Sequence, residues 1–283
     1  MPPENALSVD VEDWFQVGAF ETVIDRDRWD RLPSRVERNT DQVLHLFDRA
    51  GVKATFFTLG WVAARFPALI RRIADQGHEL ASHGWDHRRV FTMDAGVFRD
   101  DIARARDAIE QAGGQKVTGY RAPSFSIDAR TPWAHAVLAE AGYSYSSSVA
   151  PLRHDHYGWP QSPRFAWRPI AGADLIELPV TTVNLLGRRL AAGGGGFFRI
   201  LPYAFSNWAI DRVGRAEDRP AIFYFHPWEI DPGQPRVEGA PWKSRLRHYS
   251  NLGKMHDKLL RLLADHRWNR TDFVAETERS RLG

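Results

Sequence analysis

An α/β fold whose parallel strands close, or nearly close, into a (β/α) barrel is what this sequence predicts, and three observations predict it. Short apolar runs rich in β-formers alternate with longer segments of helical periodicity along the whole chain. Asp10, His83, Arg121, Ser146 and His226 all fall at or just past the ends of predicted strands, the face on which β/α barrels carry their chemistry. The 283 residues, 43% of them hydrophobic, suffice to bury one core of barrel size, so a single domain is expected over 1–283.

Ala6 to Asp10 is the first strand. The helix expected over Ser34 to Ala50 opens on a capping box, Ser34 with Glu37, carries Val36, Val43 and Phe47 on one face, and stops at Gly51. Ala54 to Thr58 reads as a strand, and Pro67 then opens a helix striped by Leu69, Ile70 and Ile73. Glu79 to Ser82 feeds His83. A third helix is expected from about Asp94 to Ala112, with Phe98, Ile102, Ala105 and Ile109 aligned and Gly113-Gly114 closing it.

Further strands are expected at Val117 to Tyr120, Tyr143 to Ser147, Leu175 to Val180 and Ala221 to Phe225. Helices are expected at Thr131 to Ala141, Leu201 to Val213 and about Lys254 to Ala264. About seven such units favour a closed or nearly closed barrel over an open sheet. The stretches 13–33, 150–170 and 228–250, rich in Pro, Gly, Trp and Arg, are too long for plain connections and predict loops that shape a substrate site. Gly193 to Gly196, before Phe197-Phe198-Arg199, reads as a flexible loop and lacks the Gly-Lys-Ser/Thr ending of a phosphate loop.

Composition narrows the chemistry. The chain has no cysteine, so disulfides, thiolate ligands and thiol nucleophiles are excluded, and any metal must be held by His, Asp or Glu. With 38 basic and 35 acidic residues interspersed, there is no massed basic face to suggest nucleic acid. No run approaches a membrane span, and Met1-Pro2-Pro3-Glu4-Asn5 has no secretory pattern, which leads to the expectation of a soluble, cytoplasmic protein. Eleven Trp and sixteen Phe are a notable count: most are expected in the core, but flat aromatic faces also line sugar sites.

Two segments supply metal-binding residue types. Asp10-Val11-Glu12-Asp13 crowds three carboxylates at a strand end, where their mutual repulsion calls for a cation or an Arg. His83 and His87, four residues apart after another strand, offer two imidazoles to one ion. On an extended chain Asp10 and Glu12 point the same way, whereas a turn after Asp10 swings Asp13 inward, and the sequence leaves that choice open. Arg121 could pair bidentately with Asp10 and hold it ionised. His226, delivered by an apolar strand that Pro227 stops, has the placement of a general acid.

The Asp10 to Asp13 cluster, His83 with His87, Arg121-Ala122-Pro123 and the late strand carrying His226, in that order, resemble the NodB-like polysaccharide deacetylases, carbohydrate esterase family 4. The start Asp-Val-Glu-Asp-Trp, Tyr145-Ser146-Ser147-Ser148 and Phe225 to Asp231 look like the bacterial branch linked to exopolysaccharide and exosortase clusters. That resemblance implies a distorted (β/α) barrel of about seven strands, a family-specific C-terminal extension at about 228–283, and metal-dependent N-deacetylation.

It further implies Asp10 as general base, Arg121 as its orienter, His226 as general acid, and His83, His87 and Asp13 or Glu12 as metal ligands. Zinc suits such a site best, with cobalt, nickel or iron also fitting. No acidic residue is marked as the partner that tunes His226, and Glu177, Asp128 and Glu229 are the candidates. The substrate implied is an N-acetylated oligo- or polysaccharide, and the missing signal segment points to a precursor, lipid-linked for example, at the inner membrane face. Two rivals share the fold: an amidohydrolase acting on a non-sugar amide, and a catalytically silent carbohydrate-binding relative.

Overall fold

The computed structural model describes residues 3–154 and 157–283. Met1 and Pro2, read above for a secretory pattern, and Asp155 and His156 of the expected 150–170 loop lie outside the described residues.

The first strand, β1 (Asn5–Val11), is buried along its whole length and forms the spine of the sheet. One edge pairs in parallel with β2 (Thr55–Thr58), which leads through β3 (Glu79–Ser82), β4 (Gly119–Tyr120) and β5 (Tyr145–Ser146) to β6 (Ile176–Glu177). The other edge pairs with β9 (Ile222–Phe225), which follows a hairpin of β7 (Thr182–Leu185) and β8 (Arg188–Ala191). These seven parallel strands curl into a half-barrel, as a distorted (β/α) barrel requires. The two-residue β10 (Trp268–Asn269) pairs with the start of β1. Between β6 and β9 the wall is stitched by Thr181, whose Oγ1 accepts the Ile222 N–H at 2.6 Å, and by Tyr224, whose N–H reaches the Gly193 carbonyl at 2.8 Å.

Strand alternation assigns the two faces. Val9, Val11, Phe56 and Leu80 point outward and pack in one large core beneath the helices, whereas Ala6, Phe57 and Ala81 share a smaller cluster inside the barrel. Ser8 and Asp10, in step with Ala6, are therefore carried to the interior at the C-terminal end of β1.

The helices are α1 (Val36–Ala50), α2 (Gly60–Arg65), α3 (Pro67–Asp75), α4 (Ala95–Gly113), α5 (Ala134–Glu140), α6 (Gly195–Ile200), α7 (Tyr203–Ala216), α8 (Trp242–Tyr249), α9 (Leu252–Asp265) and α10 (Thr271–Leu282). Most lie where periodicity expects them. Gly51 ends α1 in the left-handed region at φ 66°, and Asp94 caps α4 through the Val97 N–H at 2.8 Å. The capping box expected at Ser34 and Glu37 does not form, because a carboxylate from β1's end takes the place of a local cap, as described below.

Three features depart from the sequence reading. The hairpin β7–β8, the short α6 and α8, and α10 stand where loops or no element were expected. His83 and His87 lie in an irregular turn after β3, with Gly84 and His87 at φ 74° and 59°, and no α-helix follows until Ala95. Gly193 to Gly195 are buried and tightly packed, not a flexible loop: a Cβ on Gly193 would stand 2.2 Å from the Ile222 carbonyl oxygen.

Candidate active site

Five sequence-selected side chains, Asp10, Glu12, His83, His87 and His226, converge on a cavity of about 440 Å³ at the C-terminal mouth of the barrel. Phe125, Tyr157, Phe197, Tyr224 and Trp228 contribute aromatic wall. Each long irregular stretch supplies lining: Val17 to Ala19, Arg153 to Tyr157 in its described part, and Trp228 to His248.

Asp10 Oδ1 lies 2.6 Å from Arg121 Nη1. Arg121 is completely buried and divides its remaining N–H groups between Ser8 Oγ at 2.7 Å, the Ser147 carbonyl at 3.1 Å and Ser147 Oγ at 3.0 Å. Its plane also covers the Phe57 ring at 4.0 Å. The contact with Asp10 is thus through one oxygen and not the bidentate pair expected, since Ser8 and Ser147 occupy the rest of the fork. Asp10 Oδ2 stays open to the cavity, 4.0 Å from His226 Nε2.

Glu12 turns inward beside it. Its Oε2 is 3.0 Å from His87 Nε2, and its Oε1 accepts the Trp228 indole N–H at 3.1 Å. His83 donates Nδ1–H to the Arg121 carbonyl at 2.8 Å, which leaves Nε2 as the free lone pair. Burial pushes His83 down to about 4 and holds His87 well below the ordinary imidazole value, so both rings are neutral at pH 7. Burial also pushes the Glu12 carboxyl up to about 7, against the opposing pull of His226 and Trp228.

One donor atom each from Glu12, His83 and His87 lies within 4.8 Å of the others. Glu12 Oε2 is moreover buried with no hydrogen bond. Two neutral imidazoles and an oxygen lacking a proton donor form a donor set that fits a divalent cation.

Asp13 goes elsewhere. Its Oδ2 accepts Ser34 Oγ–H at 2.6 Å and the backbone N–H groups of Arg35 at 2.9 Å and Val36 at 3.2 Å, while Oδ1 accepts the Trp14 N–H at 2.9 Å. It therefore serves as a remote cap on α1, satisfying amides that a Ser34 cap would otherwise take. Burial raises this carboxyl, and those four hydrogen bonds pull it back.

His226 directly follows β9, and Pro227 bars continuation of the strand as expected. Its Nε2 faces Glu12 Oε1 at 3.4 Å and its Nδ1 lies 3.2 Å from Glu229 Oε2. Burial works against the charge of His226, but Glu12, Glu229 and Asp10 outweigh it and raise the imidazolium to about 9. Glu229 is buried too, yet Arg199 and His226 draw its carboxyl down to about 2.

Of the three acidic residues considered for His226, only Glu229 touches it. Glu177 instead pairs with His135 at 3.0 Å and accepts the Ser148 and Val149 N–H groups, and Asp128 pairs with Arg130.

Arg199, Trp228 and Ser8 were not singled out from sequence. Arg199 Nε holds Glu229 Oε1 at 2.8 Å, and Nη1 and Nη2 reach carbonyls of His248 and Arg247. Gly195 explains the glycine run: a Cβ there would stand 2.0 Å from Glu229 Oε2. Trp228 stacks on His226 at 5.0 Å between centroids and 18° between planes. The aromatic next to Pro227 was the available signal for Trp228; Arg199 had none, because its role depends on how α6 docks.

With this geometry in hand, comparison with known proteins bears on the class of the domain. Residues 28–146 match the family model described as polysaccharide deacetylase, and residues 147–276 match one described as a domain of unknown function, DUF3473. The first match, about two fifths of the chain, supports a polysaccharide deacetylase domain of the NodB-like type over residues 28–146. His226 and Glu229 fall in the second matched stretch, and Asp10 to Asp13 precede the first.

Among curated proteins the chain is similar to a chitooligosaccharide deacetylase from Bradyrhizobium sp., 32% identical over 137 residues covering 48% of this chain and 56% of that protein. It is also similar to a peptidoglycan-N-acetylglucosamine deacetylase from Bacillus cereus, 30% identical over 84 residues, 30% of each chain. The match thus spans only about a third to a half of such relatives' length. Among solved structures, a Mycobacterium smegmatis protein assigned as a polysaccharide deacetylase superposes with TM-score 0.62 at 21% identity, covering 100% of this chain and 94% of that one, which supports the fold.

Proposed function

We propose that this protein is a metal-dependent N-deacetylase that removes acetyl groups from N-acetylated amino sugars of a bacterial exopolysaccharide or its precursor. The observation that carries the reading is that Asp10, held by Arg121, and His226, held by Glu229, face each other at 4.0 Å beside the Glu12, His83 and His87 group. Sugar is favoured over a small cyclic amide by the aromatic wall and the volume of the cavity.

Glu12, His83 and His87 are the proposed ligands, with Asp13 left to α1. A divalent cation there, zinc first and cobalt, nickel or iron as alternatives, supplies Lewis acidity toward the amide carbonyl and water. Asp10 Oδ2, the oxygen Arg121 leaves free, accepts the proton of the attacking water as the new C–O bond forms. His226 Nε2 donates a proton to the nitrogen as the C–N bond breaks, releasing acetate and the amine. Glu229 keeps that imidazole protonated. Trp228 orients Glu12 through its indole N–H and covers one face of His226. The proposed location is the cytoplasm, at the inner face of the membrane, on a lipid-linked precursor.

The test is acetate release from a panel of N-acetylated oligosaccharides. Asp10→Asn and His226→Ala should each keep the metal and lose roughly a hundredfold or more in turnover. Full activity in Asp10→Asn sinks the mechanism.

A further inference from the structure

We propose that α8 docks this protein on a negatively charged lipid bilayer, with the mouth of the cavity beside the bilayer surface. Only His248 of its eight residues is buried. Trp242 and Leu246, one turn apart and therefore on one stripe, are 70% and 61% exposed. Lys243 and Arg247 flank that stripe on one side and Arg245 on the other, and residues 239–256 contain no Asp or Glu. An indole and a leucine with cations on both sides is the pattern of a helix lying in a headgroup layer, where the apolar side chains sink and the long basic ones reach phosphate.

The docking face adjoins the cavity. Ser244, Arg247 and His248 of α8 line it, as does Ile200, itself 47% exposed at the end of α6. Arg199 ties the two helices together through the carbonyls of Arg247 and His248.

Charge selects the occupant. A second copy of the chain in a two-fold contact would set Lys243, Arg245 and Arg247 against their equivalents. A polyanion without an apolar phase leaves Trp242 and Leu246 in water. An anionic bilayer satisfies both halves of the surface. The proposal rests on the deacetylase reading only for its consequence, a lipid-anchored substrate, and a vesicle assay reads docking apart from catalysis.

The experiment is co-sedimentation of the full chain with vesicles of phosphatidylcholine alone and of phosphatidylcholine mixed with phosphatidylglycerol. Binding is expected to the mixed vesicles only, and added salt should weaken it. The double variants W242A/L246A and K243E/R245E should each lose about tenfold or more in partitioning with unchanged thermal melting. L186A, at the 96% exposed tip of the β7–β8 hairpin, should lose nothing. Docking is overturned by absence of binding to mixed vesicles, by undiminished binding in both double variants, or by a dimer in sedimentation velocity that W242A/L246A abolishes. Acetate release that persists in a protein indifferent to vesicles would overturn docking and leave the deacetylase reading standing.

Discussion

Glu229 Oε2 stands 3.2 Å from His226 Nδ1 and also accepts the His226 backbone N–H at 3.0 Å, so one carboxylate oxygen fixes both the ring and the strand end that delivers it. Arg199 grips the other oxygen at 2.8 Å. The result is a chain of charges, buried Arg199 and Glu229 and then His226, ending at the cavity.

Glu229→Gln should therefore lower turnover roughly ten- to a hundredfold. It removes an anion that raises His226, so the imidazolium loses its proton at lower pH and the alkaline limb of the rate profile moves toward acid. A profile unchanged in position would show that Glu229 does not tune the acid.

Glu12 and Asp13 should separate cleanly. Glu12→Gln is expected to lose bound metal, read by elemental analysis, with little change in melting. Asp13→Asn is expected to keep metal and lose about 1–2 kcal/mol of stability, because the amide replaces one oxygen with a donor facing other donors. The reverse pattern would assign the ligand to Asp13.

How far this site was legible in the sequence follows from where its bonds come from. Asp10 and His226 end apolar strands, and strand ends can be read from local pattern. The choice between Glu12 and Asp13 is decided by groups far along the chain: the Trp228 indole, 216 residues from Glu12, and the amides of Arg35 and Val36. For the same reason Ser34 with Glu37 looked like a self-sufficient capping box. The glycine run was legible as unusual but not as a packing requirement, since the neighbour that demands it is Glu229. The seven-strand wall was readable; the β7–β8 hairpin and α8 carried no strong periodicity.

Arg121→Lys should be a poor replacement despite its charge. A lysine cannot reproduce the fork that reaches Asp10, Ser8 and Ser147 together. The expected result is a fall in kcat of about tenfold or more with a smaller change in KM, as befits a residue that positions the base.

Glu79 gives the protein a pH signature separate from catalysis. It is buried inside the barrel, where it accepts bonds from Thr55 Oγ1, Tyr145 Oη and the Asp272 N–H, and burial pushes its carboxyl up to about 8 from 4.5. Between those values the folded state holds a proton that the unfolded chain has released, so this group's contribution to stability falls as pH rises through the window. Glu79→Gln, which has the shape of the protonated carboxyl and no proton to lose, should flatten that slope by an amount on the order of 1–3 kcal/mol. Denaturant unfolding at pH 5.5 and 8 checks it, and identical slopes in both proteins would contradict it.

The most direct measurement is acetate release by protein stripped of metal with a chelator and then titrated with zinc. The account predicts that stripping abolishes release from N-acetylated oligosaccharides and that about one equivalent restores it, in wild type and in Asp13→Asn but not in Glu12→Gln. Release that survives stripping, or that zinc restores equally in Glu12→Gln, would contradict it.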